Sequence, residues 1–114
     1  MTDELDKLAD AELSEVFAVE VAGVEHIGNL WRNTGECWMI GVPPFATDAN
    51  AVLPWLEKLP DWKVERMAFG GIDVEIYTEN SYKVIAEAKE YAFPRAVCIA
   101  LIRAKRAEKQ EATP

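Results

Sequence analysis

The strongest constraint on the fold is a change of period in the middle of the chain. From Trp62 to Phe69, and again from Ile72 to Glu79, apolar and polar residues alternate, and Gly70-Gly71 separates the two runs. A period of two puts successive side chains on opposite faces of a strand, and paired glycines accept the positive φ of a tight turn, so the segment predicts a β-hairpin. With a two-residue turn, Met67 stands opposite Val74 and Glu65 opposite Ile76 on one face. Arg66 then faces Glu75, and Val64 faces Tyr77, on the other.

The flanking segments have other periods. Leu5, Leu8, Ala9, Leu13, Val16, Phe17 and Val21 recur at helical spacing with acids between them, and Gly23 stands where a helix C-cap is wanted, so 3–22 reads as an amphipathic helix. Glu25 to Asn33 and Glu36 to Val42 read as two strands around Thr34-Gly35, which sets Trp31 opposite Trp38. Pro43-Pro44 ends the second strand, and Thr47 or Asp48 is a suitable N-cap for a helix through Ala51, Val52, Trp55, Leu56 and Leu59. Pro54 conflicts with a regular helix there and predicts a kink or a late start near Leu53. Tyr82 to Lys89 alternates again, as a third strand or the beginning of a helix, and periodicity alone leaves both open. A last helix is predicted from Pro94, burying Val97, Cys98, Leu101 and Ile102. The length suits a single domain over 1–107 with a frayed tail over 108–114.

The net charge is −8, and it is unevenly spread. Residues 1–22 hold seven acids against one lysine, whereas 83–114 carry a net charge of +3. Phosphate-backbone binding needs clustered Lys and Arg, so direct nucleic-acid binding is not expected. Arg95, Arg103, Lys105, Arg106 and Lys109 are interspersed with alanine and read as a solvated helix face. No apolar run approaches the roughly 18 to 20 residues of a membrane span, and the N-terminus is acidic where a signal peptide is basic, so a cytoplasmic protein is expected, with no membrane partner.

Little in the chain resembles a reaction centre. Cys98 is flanked by Val97, Ile99, Leu101 and Ile102 and reads as a small core hydrophobe; Cys37 is far from it and shares no Cys-x-x-Cys pair. The single histidine, His26, sits in the first predicted strand without further ligands at metal spacing. Asp73, Glu75, Glu79 and Glu87 are candidate paired carboxylates, with Glu75 and Glu87 brought together by adjacent strands, although a solvated sheet face explains them. Gly70-Gly71 lacks the Gly-Lys frame of a phosphate loop and precedes a strand. The expectation is therefore no enzyme, no cofactor and no metal.

Three segments resemble the phage ABA sandwich domain family of small bacteriophage and prophage proteins. Phe17-Ala-Val-Glu-Val-Ala-Gly23 is similar to the family's Val-Ala-Glu-x-Val-Met-Gly helix ending, with Ala22 in place of methionine and Val24 where an aromatic residue is common. Pro43-Pro-Phe-Ala-Thr-Asp48 resembles the lead into its middle helix, from which Pro54 departs. Ala92-Phe-Pro-Arg-Ala-Val-Cys-Ile-Ala-Leu101 is similar to its Ala-Pro-Glu-Ala-Ile-Cys-x-Ala-Ala-Leu segment, with Arg95 replacing an acid. The resemblance spans nearly the whole chain. It implies an α+β fold with an antiparallel sheet of about five strands, in the order α-β-β-α-β-β-β-α, packed with three helices as an α/β/α-like sandwich. It makes 82–90 a strand, implies a phage or prophage setting in the host cytoplasm, and carries over no catalytic residues.

Two functions follow as expectations. One is a non-enzymatic accessory protein that binds and inhibits or modulates a host protein, such as a nucleic-acid-binding component of a defence system. Its acidic pole (Asp6, Asp10, Glu12 and Glu15) would imitate a phosphate backbone. The other is a small-ligand or nucleotide-sequestering domain, motivated by four tryptophans. Trp31 and Trp38 would stack a base, with Arg32 or Arg66 for phosphate. A third reading is a virion or assembly part that self-associates, for example as a homodimer.

Overall fold

A computed structural model describes residues 4–27, 30–32, 42–59, 61–68, 70–77 and 84–112. A 3₁₀ turn (Leu5–Lys7) and α1 (Asp10–Glu20) are followed by β1 (Glu25–Ile27) and β2 (Leu30–Arg32). Then come α2 (Ala49–Glu57), β3 (Trp62–Arg66), β4 (Ile72–Tyr77), β5 (Val84–Glu90) and α3 (Phe93–Ala112). The chain order of helices and strands agrees with the expected α+β class, and 84–90 is a strand. Among the described residues the five strands do not form a single sheet: β3, β4 and β5 make an antiparallel three-stranded sheet in that order, and β1 pairs only with β2.

The hairpin register differs from the sequence expectation by three residues. Trp62 pairs with Ile76, Val64 with Val74 and Arg66 with Ile72. In place of a two-residue turn, a longer loop closes through Met67 N–H to Gly71 C=O (2.8 Å) and Gly70 N–H to Met67 C=O (2.9 Å), with Gly70 at φ 96°. An odd shift moves β3 to the opposite face. It places Trp62 and Val64, in place of Glu65, on the side of Val74 and Ile76, and burial of those apolar groups selects the register.

That apolar side receives α3, while α1 and α2 pack on α3 in turn. Helix α3 is thus a middle layer, and residues 96–102 are buried without interruption, as a helix covered on both sides must be. Ala86 and Ala88 of β5 leave room for it to approach the sheet. The α/β/α sandwich is corrected accordingly: among the described residues no helix packs on the other sheet face, which is charged. The helix also runs to Ala112, past the expected domain end at 107.

Other local departures have simple causes. The expected first strand is divided into β1 and β2, which pair across 28–29 (Gly-Asn in sequence, a two-residue hairpin signal), so Trp31 faces His26. Trp38, Cys37 and most of the expected strand 36–42 lie outside the described residues. The first predicted helix is interrupted at Leu8 and Ala9, whose backbones are extended. Past its end, Gly23 has φ 73°, and Val24 N–H donates to Ala18 C=O at 2.9 Å.

Helix α2 does not start late. Asp48 caps it, accepting from Asn50 N–H at 2.9 Å, and Pro54 sits inside it. Pro54 is exposed and removes one helical donor. Pro54→Ala is expected to stabilise the protein by about 1 to 2 kcal/mol, the interior-helix penalty of proline reduced by the greater freedom of the unfolded variant. Urea unfolding checks this, and a lower midpoint for the variant refutes it.

Candidate functional site

The helix-free face of the sheet is built by the outward positions of three strands. Lys63, Glu75 and Glu87 form one cross-strand row, and Glu65, Asp73 and Lys89 the next. The period-two alternation dictates this composition, since every inward neighbour is apolar or alanine except Arg66 and Glu90 at the end. Lys63 reaches Glu65 (3.1 Å) and Lys89 reaches Glu87 (3.9 Å), so both lysines pair along their own strands. On the central strand, Asp73 lies between Glu65 and Lys89, and Glu75 between Lys63 and Glu87, so each acid faces one like and one opposite charge.

Carboxylate oxygens of Asp73, Glu75 and Glu87 lie within 4.8 Å of one another, close enough to face one shared cation. Asp73 Oδ1 is buried and accepts no hydrogen bond among the described residues. Burial first, and then the charge of Glu75, holds the Asp73 carboxyl above its ordinary value. A raised carboxyl binds its proton more tightly folded than unfolded. Its contribution to stability therefore declines as pH rises from the ordinary carboxylate value through the raised one, and above that the cost is constant. Asp73→Asn should stabilise the protein by about 0.5 to 1 kcal/mol at neutral pH and by less near pH 3. A variant no more stable at pH 7 than at pH 3, each relative to the parent, would contradict the assignment.

The residues nominated from sequence are not gathered into one site. The Arg95 guanidinium engages Asp10 (2.9 Å), and donates to the carbonyls of Asp6 (3.0 Å) and Leu8 (2.7 Å). Glu12 turns back to accept from the Ala9 N–H at 3.4 Å, while Glu15 is exposed. Trp31 is 6% exposed and belongs to the core, which removes it as a stacking platform. Arg66 is exposed at the end of β3 opposite Ile72; the Arg32 side chain and all of Trp38 lie outside the described residues.

The solvated basic face expected on α3 is corrected for its three arginines, whereas Lys105 is exposed. Arg95 also holds Glu90 at 2.5 Å, Arg103 donates to Glu87 C=O at 2.8 Å, and Arg106 grips both carboxylate oxygens of Glu20 at 2.8 Å. These arginines point into contacts with α1 and β5. Opposite ends of the charge map are adjacent in space, and two acids of the N-terminal pole, Asp10 and Glu20, are neutralised by Arg95 and Arg106. The sheet-face acids remain, of which Glu75 and Glu87 were legible as neighbours; Lys63 and Lys89 enter through the register.

Cys98 is fully buried, and desolvation pushes its thiol up to about 12, so it is an inert core residue. Among the described residues, no helix is long and apolar enough to cross a membrane. The backbone closely follows a solved structure described as a phage protein from Bacillus cereus ATCC 14579, with a TM-score of 0.70 at 17% identity, covering 85% of this chain and 92% of that one. The two chains share a fold. No family model matches the chain, and no curated protein matches its sequence.

Proposed function

We propose that the chain is a non-enzymatic phage or prophage accessory protein that docks on a basic, nucleic-acid-binding host protein in the host cytoplasm and inhibits or modulates it. The observation that carries this reading is the exposed sheet face with like charges set opposite one another across strands. Like-charged cross-strand pairs oppose sheet pairing; Lys63 and Lys89 offset them only in part, and a surface that carries such a cost is expected where it is kept for a partner. A lysine or arginine from the partner, set against Asp73, Glu75 and Glu87, relieves the repulsion among their carboxylates. Support for the phage setting comes from the resemblance to the phage ABA sandwich domain family and from the fold shared with a phage protein.

The test compares immobilised parent protein with the Glu75→Lys/Glu87→Lys variant in capture from bacterial lysate. A stoichiometric basic protein should be retained by the parent at low salt, eluted as salt screens the charges, and lost from the variant. A Glu12→Lys/Glu15→Lys control should retain it. Equal retention by the sheet-face variant, or retention indifferent to salt, rejects the reading.

A further inference from the structure

On the other side of α3 from the sheet, the helices leave a cleft of about 170 Å³. Its floor is Leu101 and Ala104 of α3, both buried, and its sides are Val21, just past the end of α1, and Leu59, just past α2. Trp55 forms a wall: its indole meets the buried Phe17 ring edge-on (6.1 Å, 83°), and the half-buried side chain also borders the opening. Two lysines stand at the mouth, Lys58 from the end of α2 and Lys105 from α3, with the exposed Glu108 beside them. Lys58 Nζ rests over the Trp55 ring at 3.8 Å, and among the described residues no carboxylate pairs with it; Lys105 has a 3.9 Å contact with Glu108.

The geometry points to a second binding site in this cleft, for a small aromatic anion. An apolar floor and wall with a few charged groups at the rim, here two lysines and the exposed Glu108, is the ordinary anatomy of a small-molecule site. The volume suits one ring system, since an apolar cavity of about 150 Å³ accepts benzene. A ring entering the cleft meets the indole and the aliphatic floor, and its acid group meets both ammonium groups. Charge selects an anion: in a chain of net charge −8, two lysines from different helices converge on this opening. Their exposed stems can follow the ligand without disturbing the core. The site shares no residue with the acidic sheet face and stands or falls independently of it.

Titrations followed by ¹H–¹⁵N spectra of the full chain test the inference, with the Trp55 indole resonance assigned through Trp55→Phe. Indole-3-acetate should shift that resonance and the Leu59 and Leu101 amides, and uncharged indole-3-ethanol should bind at least about fivefold more weakly, the scale expected of two exposed charge contacts. Lys58→Gln/Lys105→Gln, at exposed positions, should weaken indole-3-acetate by a similar factor and leave indole-3-ethanol unchanged. Adenosine 5′-monophosphate shifting the same resonances would assign a nucleoside phosphate as the source of the anion; a response to indole-3-acetate alone would assign a carboxylate. No shift with either at about 10 mM, equal binding of the charged and uncharged indoles, or a lysine variant that binds indole-3-acetate as the parent does, overturns the site.

Discussion

Arg95→Met should destabilise the protein by about 2 to 3 kcal/mol, because four hydrogen bonds converge on one guanidinium whose side chain is 15% exposed. The group sits in the first turn of α3 and joins three elements: Glu90 at the end of β5, Asp10 at the start of α1, and the carbonyls of Asp6 and Leu8 where the 3₁₀ turn gives way to α1. Burial opposes its charge, but the hydrogen bonds to Glu90 and Asp10 together with the charges of those two carboxylates hold the guanidinium above its ordinary value. Methionine keeps much of the side chain's volume and removes every donor, leaving the half-buried Glu90 without the cation. Lysine, a single point charge in place of a planar fork, should recover less than half of the loss. Urea unfolding measures both variants, and hydrogen exchange at Lys7, whose N–H donates to Glu4 C=O at 3.0 Å, reports whether the N-terminal turn loosens. A change under about 0.5 kcal/mol with unaltered exchange would show that Arg95 is not the clasp.

Phe17→Ala should cost more, about 3 to 5 kcal/mol, a large share of the roughly 5 to 15 kcal/mol typical of a domain. Phe17 is fully buried on α1, with its ring 4.5 Å from that of Phe45 and edge-on to Trp55. Three segments distant in sequence meet on this side chain, so its removal leaves a cavity that no single helix can close by a small shift. Phe17→Leu, which retains most of the apolar volume, should cost about 1.5 kcal/mol or less. The near-ultraviolet circular dichroism of the alanine variant should also weaken as Trp55 loses its neighbour. A loss below about 1.5 kcal/mol for alanine would mean that the two aromatic contacts are incidental to the join.

Local chemistry explains which parts of this structure could be read in advance. The period of two at 62–77, the glycines at 23 and 70, the Asp48 cap and the apolar run around Cys98 all act within a few residues, and each produced the expected element. Register did not follow, because a three-residue slide keeps the alternation of each strand and changes only which face meets α3. The division of 25–33 into two strands has a local signal in its Gly-Asn pair, which the reading of that segment as one strand did not use.

Charge behaved similarly. An acidic beginning and a basic end are plain in the sequence, yet contact between α1 and α3 turns much of that contrast into internal pairs, Arg95 with Asp10 and Arg106 with Glu20. The like-charged positions of the sheet face become neighbours only through strand pairing. Propensity, capping and hydrophobic periodicity, which are short-range, marked the helices and the other strands and placed Cys98 in the core, whereas 82–90 stayed open between strand and helix until the family resemblance made it a strand. The register of β3, the one-sided helix packing and the location of both binding surfaces depended on apolar burial and charge pairing between residues far apart along the chain, which no local pattern encodes.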